Sequence, residues 1–420
     1  MQSFWSAWSL PRRRCEWGAF PEGIPGAVGL LTPSCTLRSE AYDHGSQTPA
    51  GRCDAATENH RGPKMPNDWA DFLATTEHRR PRRILYYAGF TDDLRRRLVE
   101  HIGTDDIAGH YGFYRSAGLS LKRPEGLPPL DFSRYWHGET LPAGTTFDGH
   151  GVAMVPSGFY HFWGYVSPLR NAKSLKDIED YPLEDVSGWG TDHLAAAVAA
   201  AHAAGKVATG WVGHMYETAW QIRGYEQFLL DTVERPAWAE CLLERLFQQN
   251  LIRAAAFARA GADLINTGDD VASQKSLIFA PDTWRKLIHS RWAKVWRAIK
   301  EIRPQAKIWY HSDGNIAAIV PELVEAGLDI LNPLQPECLD VDAIHTRFGK
   351  RLTFDGCIGT QSTMPWGTPA DVRARVKECI AKYGRRGGLI ISPTHVLEPE
   401  VPLANIDALF AACREFGSFS

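Results

Sequence analysis

The sequence predicts a single (β/α)₈ barrel, and three observations predict it. From Arg82 onward, short apolar stretches alternate with amphipathic ones, the pattern of βαβ units in a parallel sheet. Stretches such as LDILNPLQ and GLIISPTH are apolar on both faces, as strands covered on two sides are. Seven or eight such units fit within roughly 330 residues, which favours a closed barrel over an open doubly wound sheet. No GxGxxG or GxxxxGK[ST] follows the first strand, so a dinucleotide-binding or P-loop fold lacks its main support.

The elements follow in order. Residues 1–64 are rich in Gly, Pro, Arg, Ser and Thr and show no sustained period, so this segment is expected to be disordered or an over-extended start. It makes a poor secretory signal, because its charges are followed by no sufficient apolar core. Met65 opens MPNDWADFLATTEH, an amphipathic beginning for a barrel spanning 65–420. RRILYYAGF (82–90) reads as the first strand, and TDDLRRRLVEHIG as a helix capped by Thr91 and stopped at Gly103. Residues of about 110–170, with RYWHGE, FDGHG and SGFYHFWGYV, read as an excursion of loops and short strands above the barrel. Regular alternation then returns. Strands are expected at 206–213, 262–270, 306–315, 328–335, 351–359 and 388–397. Helices are expected at 193–205, twice within 224–260, at 281–303 with Pro at its first turn, in IAAIVPELVEAG and VDAIHTRFG, at 368–384, and in the final VPLANIDALFAACREFG.

Composition narrows the function. The 420 residues are 44% hydrophobic and 23% charged, with a net charge of -3, which points to neither a nucleic-acid nor a membrane-surface partner. No apolar run approaches the roughly 20 residues that span a bilayer. Eight cysteines without a CxxC pair suggest a reducing cytoplasm. The 15 Trp, 13 Tyr and 18 Phe are mostly core, with some left to line a pocket for a flat or apolar substrate.

In such barrels catalysis sits where the strands end. Those ends hold His214 and Glu217, Asp269 and Asp270, His311 and Asp313, Gln335 and Glu337, Cys357, and His395. Strand ends also leave the core and are polar for that reason alone. In an extended strand, His311 and Asp313 point to one side and can reach one centre. His395 can add a nitrogen and Cys357 a thiolate, a ligand set for zinc or another divalent ion with one open position. A hydrogen-bonded His–Asp pair without metal fits the same spacing. Asp269 and Asp270 read as a catalytic or substrate-binding pair, one with a raised pKa, or as a loop turn or helix cap. Arg79, Arg80, Arg82 and Arg83 either attract an anionic substrate or form a solvated approach to the first strand.

The run GDD…FAPDTWRKLI, YHSDGN, PELVEAGLDILNPLQPE, FGKRLTFDGCIGTQ, GTPADVRARVKECI and GGLIISPTHVLEPEVPLANIDAL closely resembles the uroporphyrinogen decarboxylase superfamily over about 79–417. The resemblance implies a distorted barrel of the kind shared with methionine synthase. It implies one of two activities: cofactor-free decarboxylation of uroporphyrinogen, or zinc-dependent methyl transfer involving a corrinoid protein. The porphyrinogen enzymes carry an arginine-rich motif after the first strand; here ILYYAGFTDDLRRR keeps only Ala88 and Gly89 of it. The methyltransferase branch has His-x-Cys at a middle strand and a Cys at the last; these positions resemble His311, Asp313 and His395. Nitrogen and oxygen ligands in place of thiolates favour ether or amine demethylation over thiol alkylation.

The expectation is a demethylating methyltransferase with His311, Asp313, His395 and Cys357 at a divalent metal, zinc in the first place. Asp269, Asp270 and Glu217 are the expected catalytic groups. Trp211, His214, Gln335 and Glu337 are the expected substrate contacts, and a corrinoid (cobalamin) protein is the expected partner. The alternatives are a decarboxylase and a barrel that binds without catalysis. Barrels of this superfamily often pair as homodimers, and the sequence carries no interface signature of its own.

Overall fold

The structure, a computed structural model, describes residues 67–157 and 163–419. The expectation for residues 1–64 lies outside the described residues. Eight parallel strands form the barrel wall: β1 (Leu85–Tyr86), β2 (Ser116–Leu119), β3 (Val207–His214), β4 (Leu264–Gly268), β5 (Lys307–His311), β6 (Ile330–Leu334), β7 (Thr353–Ile358) and β8 (Leu389–Pro393). They pair in the order β1-β8-β7-β6-β5-β4-β3-β2. Across the seam between β1 and β2, the Tyr114 N–H donates to the Tyr86 carbonyl at 3.1 Å.

The main helices are α1 (Asp68–Thr76), α2 (Asp92–Ile102), α3 (Leu194–Ala203), α4 (Tyr216–Arg223), α5 (Pro236–Ala260), α6 (Ser290–Ile302), α7 (Val320–Ala326), α8 (Val341–Phe348), α9 (Pro369–Cys379) and α10 (Leu403–Phe416). Local chemistry sets their ends. Gly103 takes a left-handed conformation (φ 73°) and stops α2, where its N–H reaches the Val99 carbonyl. Thr368 and Asp371 form a capping box at the start of α9. Trp292, Val295, Trp296 and Ile299 recur at helical spacing on α6, and all four are buried.

The hydrophobic core has two parts. The larger lies between the strands and the outer helices. The smaller fills the barrel interior, where Leu85, Val207, Leu264, Trp309, Ile330 and Ile390 meet Phe72 from α1. Thus α1 closes the end where the strands begin. Its Trp69 N–H donates to the Gly205 carbonyl at 3.1 Å, and the Gly388 N–H donates to the Thr75 carbonyl at 2.8 Å. Asp68, fully buried, accepts from Arg83 at 2.5 Å and Arg115 at 2.8 Å, just ahead of β1 and β2. Asp71 pairs with Arg82 at 3.0 Å.

Two sequence expectations shift. The 110–170 stretch was read wholly as an excursion, yet Ser116–Leu119 within it is the second barrel strand. Four residues with a glycine and three partly open positions leave too little pattern to recognise. The rest of that stretch does contain short strands, in an antiparallel sheet of Thr146–Phe147, Ala153–Pro156 and Trp163–Val166. Apart from β3, the ladders are also shorter than the apolar runs, because the outer residues of those runs have already turned into loops. Among the described residues, no helix is long and apolar enough to cross a membrane.

Asp68→Ala would leave two guanidinium groups without their shared carboxylate. A loss of roughly 2–3 kcal/mol in urea unfolding is expected, below the fully buried case because both arginines are partly exposed.

Candidate metal centre at the barrel mouth

The centre begins with two adjacent carboxylates at the end of β4. Successive side chains of an extended chain face opposite ways, and Asp269 and Asp270 separate accordingly. Asp269 turns outward and is fully buried. One of its oxygens accepts the N–H groups of Met215 and Glu217 at 2.9 and 3.1 Å. The other accepts the Trp292 indole N–H at 2.7 Å. Burial pushes its carboxyl up, to about 7, with the Glu217 carboxylate adding to the rise while His214 and the N–H donors oppose it. Its bonds place it as the group that ties the start of α4 and the face of α6 to β4.

Asp270 turns inward. Its Oδ1 accepts the Asp313 N–H at 2.8 Å and lies 3.6 Å from His311 Nε2. Burial, then Glu217 and Asp313, push its carboxyl up to about 7. At the end of β5, His311 and Asp313 face the same side. Ser312 between them faces away and is fully buried, its hydroxyl accepting the Val271 N–H at 3.2 Å. Asp270, His311 and Asp313 each offer one ligand atom, and these atoms lie within 4.8 Å of one another.

The donor chemistry of this trio fits a divalent cation. His311 Nδ1 donates to Asn332 Oδ1 at 2.7 Å, which leaves Nε2 facing the carboxylates. Asp313 Oδ1 is buried without a hydrogen-bond partner among the described residues. Burial pushes the Asp313 carboxyl up to about 6, against the opposing effect of His311. Among the described residues, no Lys or Arg pairs with Asp270 or Asp313. Two inward carboxylates around one imidazole are a set that a cation of N/O preference satisfies.

The other expected residues fall in different places. His395 Nε2 is 4.0 Å from Asp313 Oδ2, beside the trio but outside its convergent group. The three convergent ligand atoms are those of Asp270, His311 and Asp313, and that of the expected His395 is not among them. Cys357 requires a correction, since it is fully buried and its thiol meets Cys379 on α9, in the outer layer. Its side chain therefore faces away from the trio. Gln335 Oε1 accepts the Gly314 N–H at 2.6 Å and so holds the turn after Asp313. Glu337 accepts the Ser362 hydroxyl at 2.9 Å, linking the loops after β6 and β7.

His214 and Glu217 form a second group with Asp269. His214 Nδ1 lies 2.7 Å from Glu217 Oε1 and 2.9 Å from the Gly268 carbonyl. Glu217 sits in the first turn of α4, and its Oε1 also accepts the Asp270 N–H at 3.1 Å. With Asp269 already holding three N–H donors, this second group is a hydrogen-bonded network. Burial opposes charge on His214, yet Glu217, Asp269 and Asp270 outweigh it and raise its pKa to about 9. Trp211 meets His214 edge-on at 4.9 Å between ring centroids, and Trp309 stacks on His311 at 5.7 Å.

Sequence reasoning passed over Asn332 and Asp355. The signal was a single polar residue inside an otherwise apolar strand, in LDILNPLQ and RLTFDGCIG. Trp292 was visible only as part of a general aromatic excess.

Comparison with known proteins agrees with the architecture. The family profile described as uroporphyrinogen decarboxylase (URO-D) matches residues 165–416. No protein of curated function matches in sequence. Among solved structures, a methyltransferase from Methanosarcina mazei superposes with a TM-score of 0.56 at 18% identity, covering 83% of this chain and 98% of its own. At that identity the likeness concerns the fold. An α-amylase from Geobacillus thermoleovorans, complexed with acarbose, overlaps 55% of this chain and 63% of its own at 11% identity and a TM-score of 0.32.

The His214 pKa, raised in the fold, gives a pH signature. Its contribution is fully present below about pH 6.5 and is lost as pH rises through about 9. The stability gap between the parent chain and His214→Gln, measured by urea unfolding, is expected to shrink by roughly 3 kcal/mol between pH 6 and 10.

Proposed function

The chain belongs to the uroporphyrinogen decarboxylase family, and on that premise we propose a metal-dependent methyltransferase that demethylates a small methylated or aromatic substrate. The methyl acceptor in this reading is a corrinoid carried by a separate protein. The observation that supports it is the inward convergence of Asp270, His311 and Asp313 at the ends of β4 and β5. The unpartnered, buried Asp313 Oδ1 adds to it.

Asp270, His311 and Asp313 would hold a divalent ion, zinc in this proposal, with His395 beside Asp313 as the next donor in reach. The ion, when bound, supplies a Lewis acid toward the oxygen or nitrogen that loses its methyl group. The chain's own groups do the rest. Asp270 is held by its contact with the Asp313 N–H. The demethylated product must take up a proton, and the His214–Glu217 pair next to Asp270 holds one at the His214 ring. Trp211 packs edge-on beside that pair, an aromatic ring of the kind that suits an aromatic or methylated group. The free cysteines at 241, 338, 357, 379 and 413 support a reducing, cytoplasmic setting.

The family also suggests decarboxylation of uroporphyrinogen, whose several carboxylates need cationic partners in a buried site. The arginines around the first strand are engaged elsewhere. Arg82 and Arg83 pair with Asp71 and Asp68 at the end of the barrel opposite the trio. That arrangement favours methyl transfer.

Purified protein is expected to contain about one equivalent of zinc, iron or cobalt by elemental analysis. His311→Ala should weaken metal binding by roughly 100-fold or more, since even the loss of an outer partner of a ligand costs about 10–100-fold. No bound metal, with unchanged folding of His311→Ala, would count against the proposal. Conversion of uroporphyrinogen to coproporphyrinogen would favour the decarboxylase. Binding of methylated substrates without turnover, given a corrinoid acceptor, would favour a non-catalytic barrel.

A further inference from the structure

Asp355, on β7, lies inside the barrel and is nearly inaccessible. Its Oδ2 accepts the Trp309 indole N–H at 2.8 Å and the Tyr87 hydroxyl at 3.0 Å. Its Oδ1 accepts the Ser392 hydroxyl at 2.9 Å. The Asn332 amide lies close enough to oppose the rise of its carboxyl. Neutral donors thus surround an acceptor that faces the interior.

Two of these donors lead onward to His311. The Asn332 amide can donate only from Nδ2 and accept only at Oδ1. With Nδ2 on the side of Asp355, Oδ1 faces His311 and accepts from its Nδ1 at 2.7 Å. That bond places the proton of the neutral imidazole on Nδ1. The Nε2 lone pair is then directed toward Asp270, 3.6 Å away. Trp309 is the second route. Its indole is held by Asp355, and its ring stacks on the imidazole at 5.7 Å with 17° between planes.

We propose that Asp355 is a positioning residue for the metal centre, setting the tautomer of His311 through Asn332 and the plane of its ring through Trp309. The inference rests on the reading of His311 as a ligand, and it gives a role to a carboxylate buried in an apolar strand. A ligand imidazole whose other nitrogen is bonded has its orientation and basicity set by that second partner. Here the amide transmits the effect between two side chains that do not touch.

The test compares Asn332→Leu, which cuts the amide route, with Tyr87→Phe, which removes one donor from Asp355 and leaves both routes intact. Two readouts are used: zinc affinity by competition with a chromophoric chelator, and the ¹⁵N spectrum of metal-free, histidine-labelled protein at alkaline pH. The parent and Tyr87→Phe should show the Nδ1–H tautomer at His311 and zinc affinities within about twofold of each other. Asn332→Leu should move His311 toward the Nε2–H tautomer and lose about 10–100-fold in zinc affinity. An Nε2–H tautomer in the parent, or the same tautomer and affinity in Asn332→Leu, overturns the proposal. If the parent binds no zinc but Asn332→Leu still switches the tautomer, the tautomer relay stands and the metal reading fails.

Discussion

The mouth of this barrel depends on the buried carboxylate of Asp269. It accepts two backbone N–H groups at the start of α4 and the indole N–H of Trp292 on α6. A buried acceptor with three well-formed bonds is costly to displace, because each lost bond leaves a desolvated donor behind. That single group therefore fixes where α4 begins relative to β4. It thereby places His214 and Glu217 beside Asp270.

The same residue forces the chemistry of its neighbour. With Asp269 turned outward, the pleat of the chain turns Asp270 inward. There it meets His311 and Asp313 from the adjacent strand, and the two strand ends share one small volume. Bringing carboxylates together out of water is unfavourable: burial raises both, Glu217 adds to each, and Asp313 adds to the rise of Asp270. A bound cation would offset that penalty. The adjacent His214–Glu217 pair is locally balanced, so the unbalanced negative charge is concentrated at the inward trio.

The fold supports this arrangement from below. Phe72 and the ion pairs of Asp68 seal the end where the strands begin, and the aromatic layer around Trp309 fills the interior beneath the trio. After β2, the three-stranded excursion has no counterpart elsewhere in the alternation among the described residues. The two ends of the barrel thus have different tasks. Charge is paired and covered at the closed end, while at the mouth Asp270 and Asp313 are gathered with no Lys or Arg partner among the described residues.

Much of this was legible in the sequence. Alternation of apolar strands with amphipathic helices determined the barrel, and placing polar residues at strand ends picked out His311, Asp313, Asp270, His214 and Glu217. The i, i+2 spacing of His311 and Asp313 was enough to put them on one side, because that geometry is local. Three matters were decided only by the tertiary structure. Which of two adjacent aspartates faces inward depends on the phase of β4 relative to α6. The outward turn of Cys357 depends on its packing against α9, and its left-handed backbone (φ 76°) breaks the simple alternation that a sequence reading assumes. The link from Asp355 to His311 joins three different strands. No periodicity along one strand can reveal such a bond, because its partners are set by how the strands register against one another.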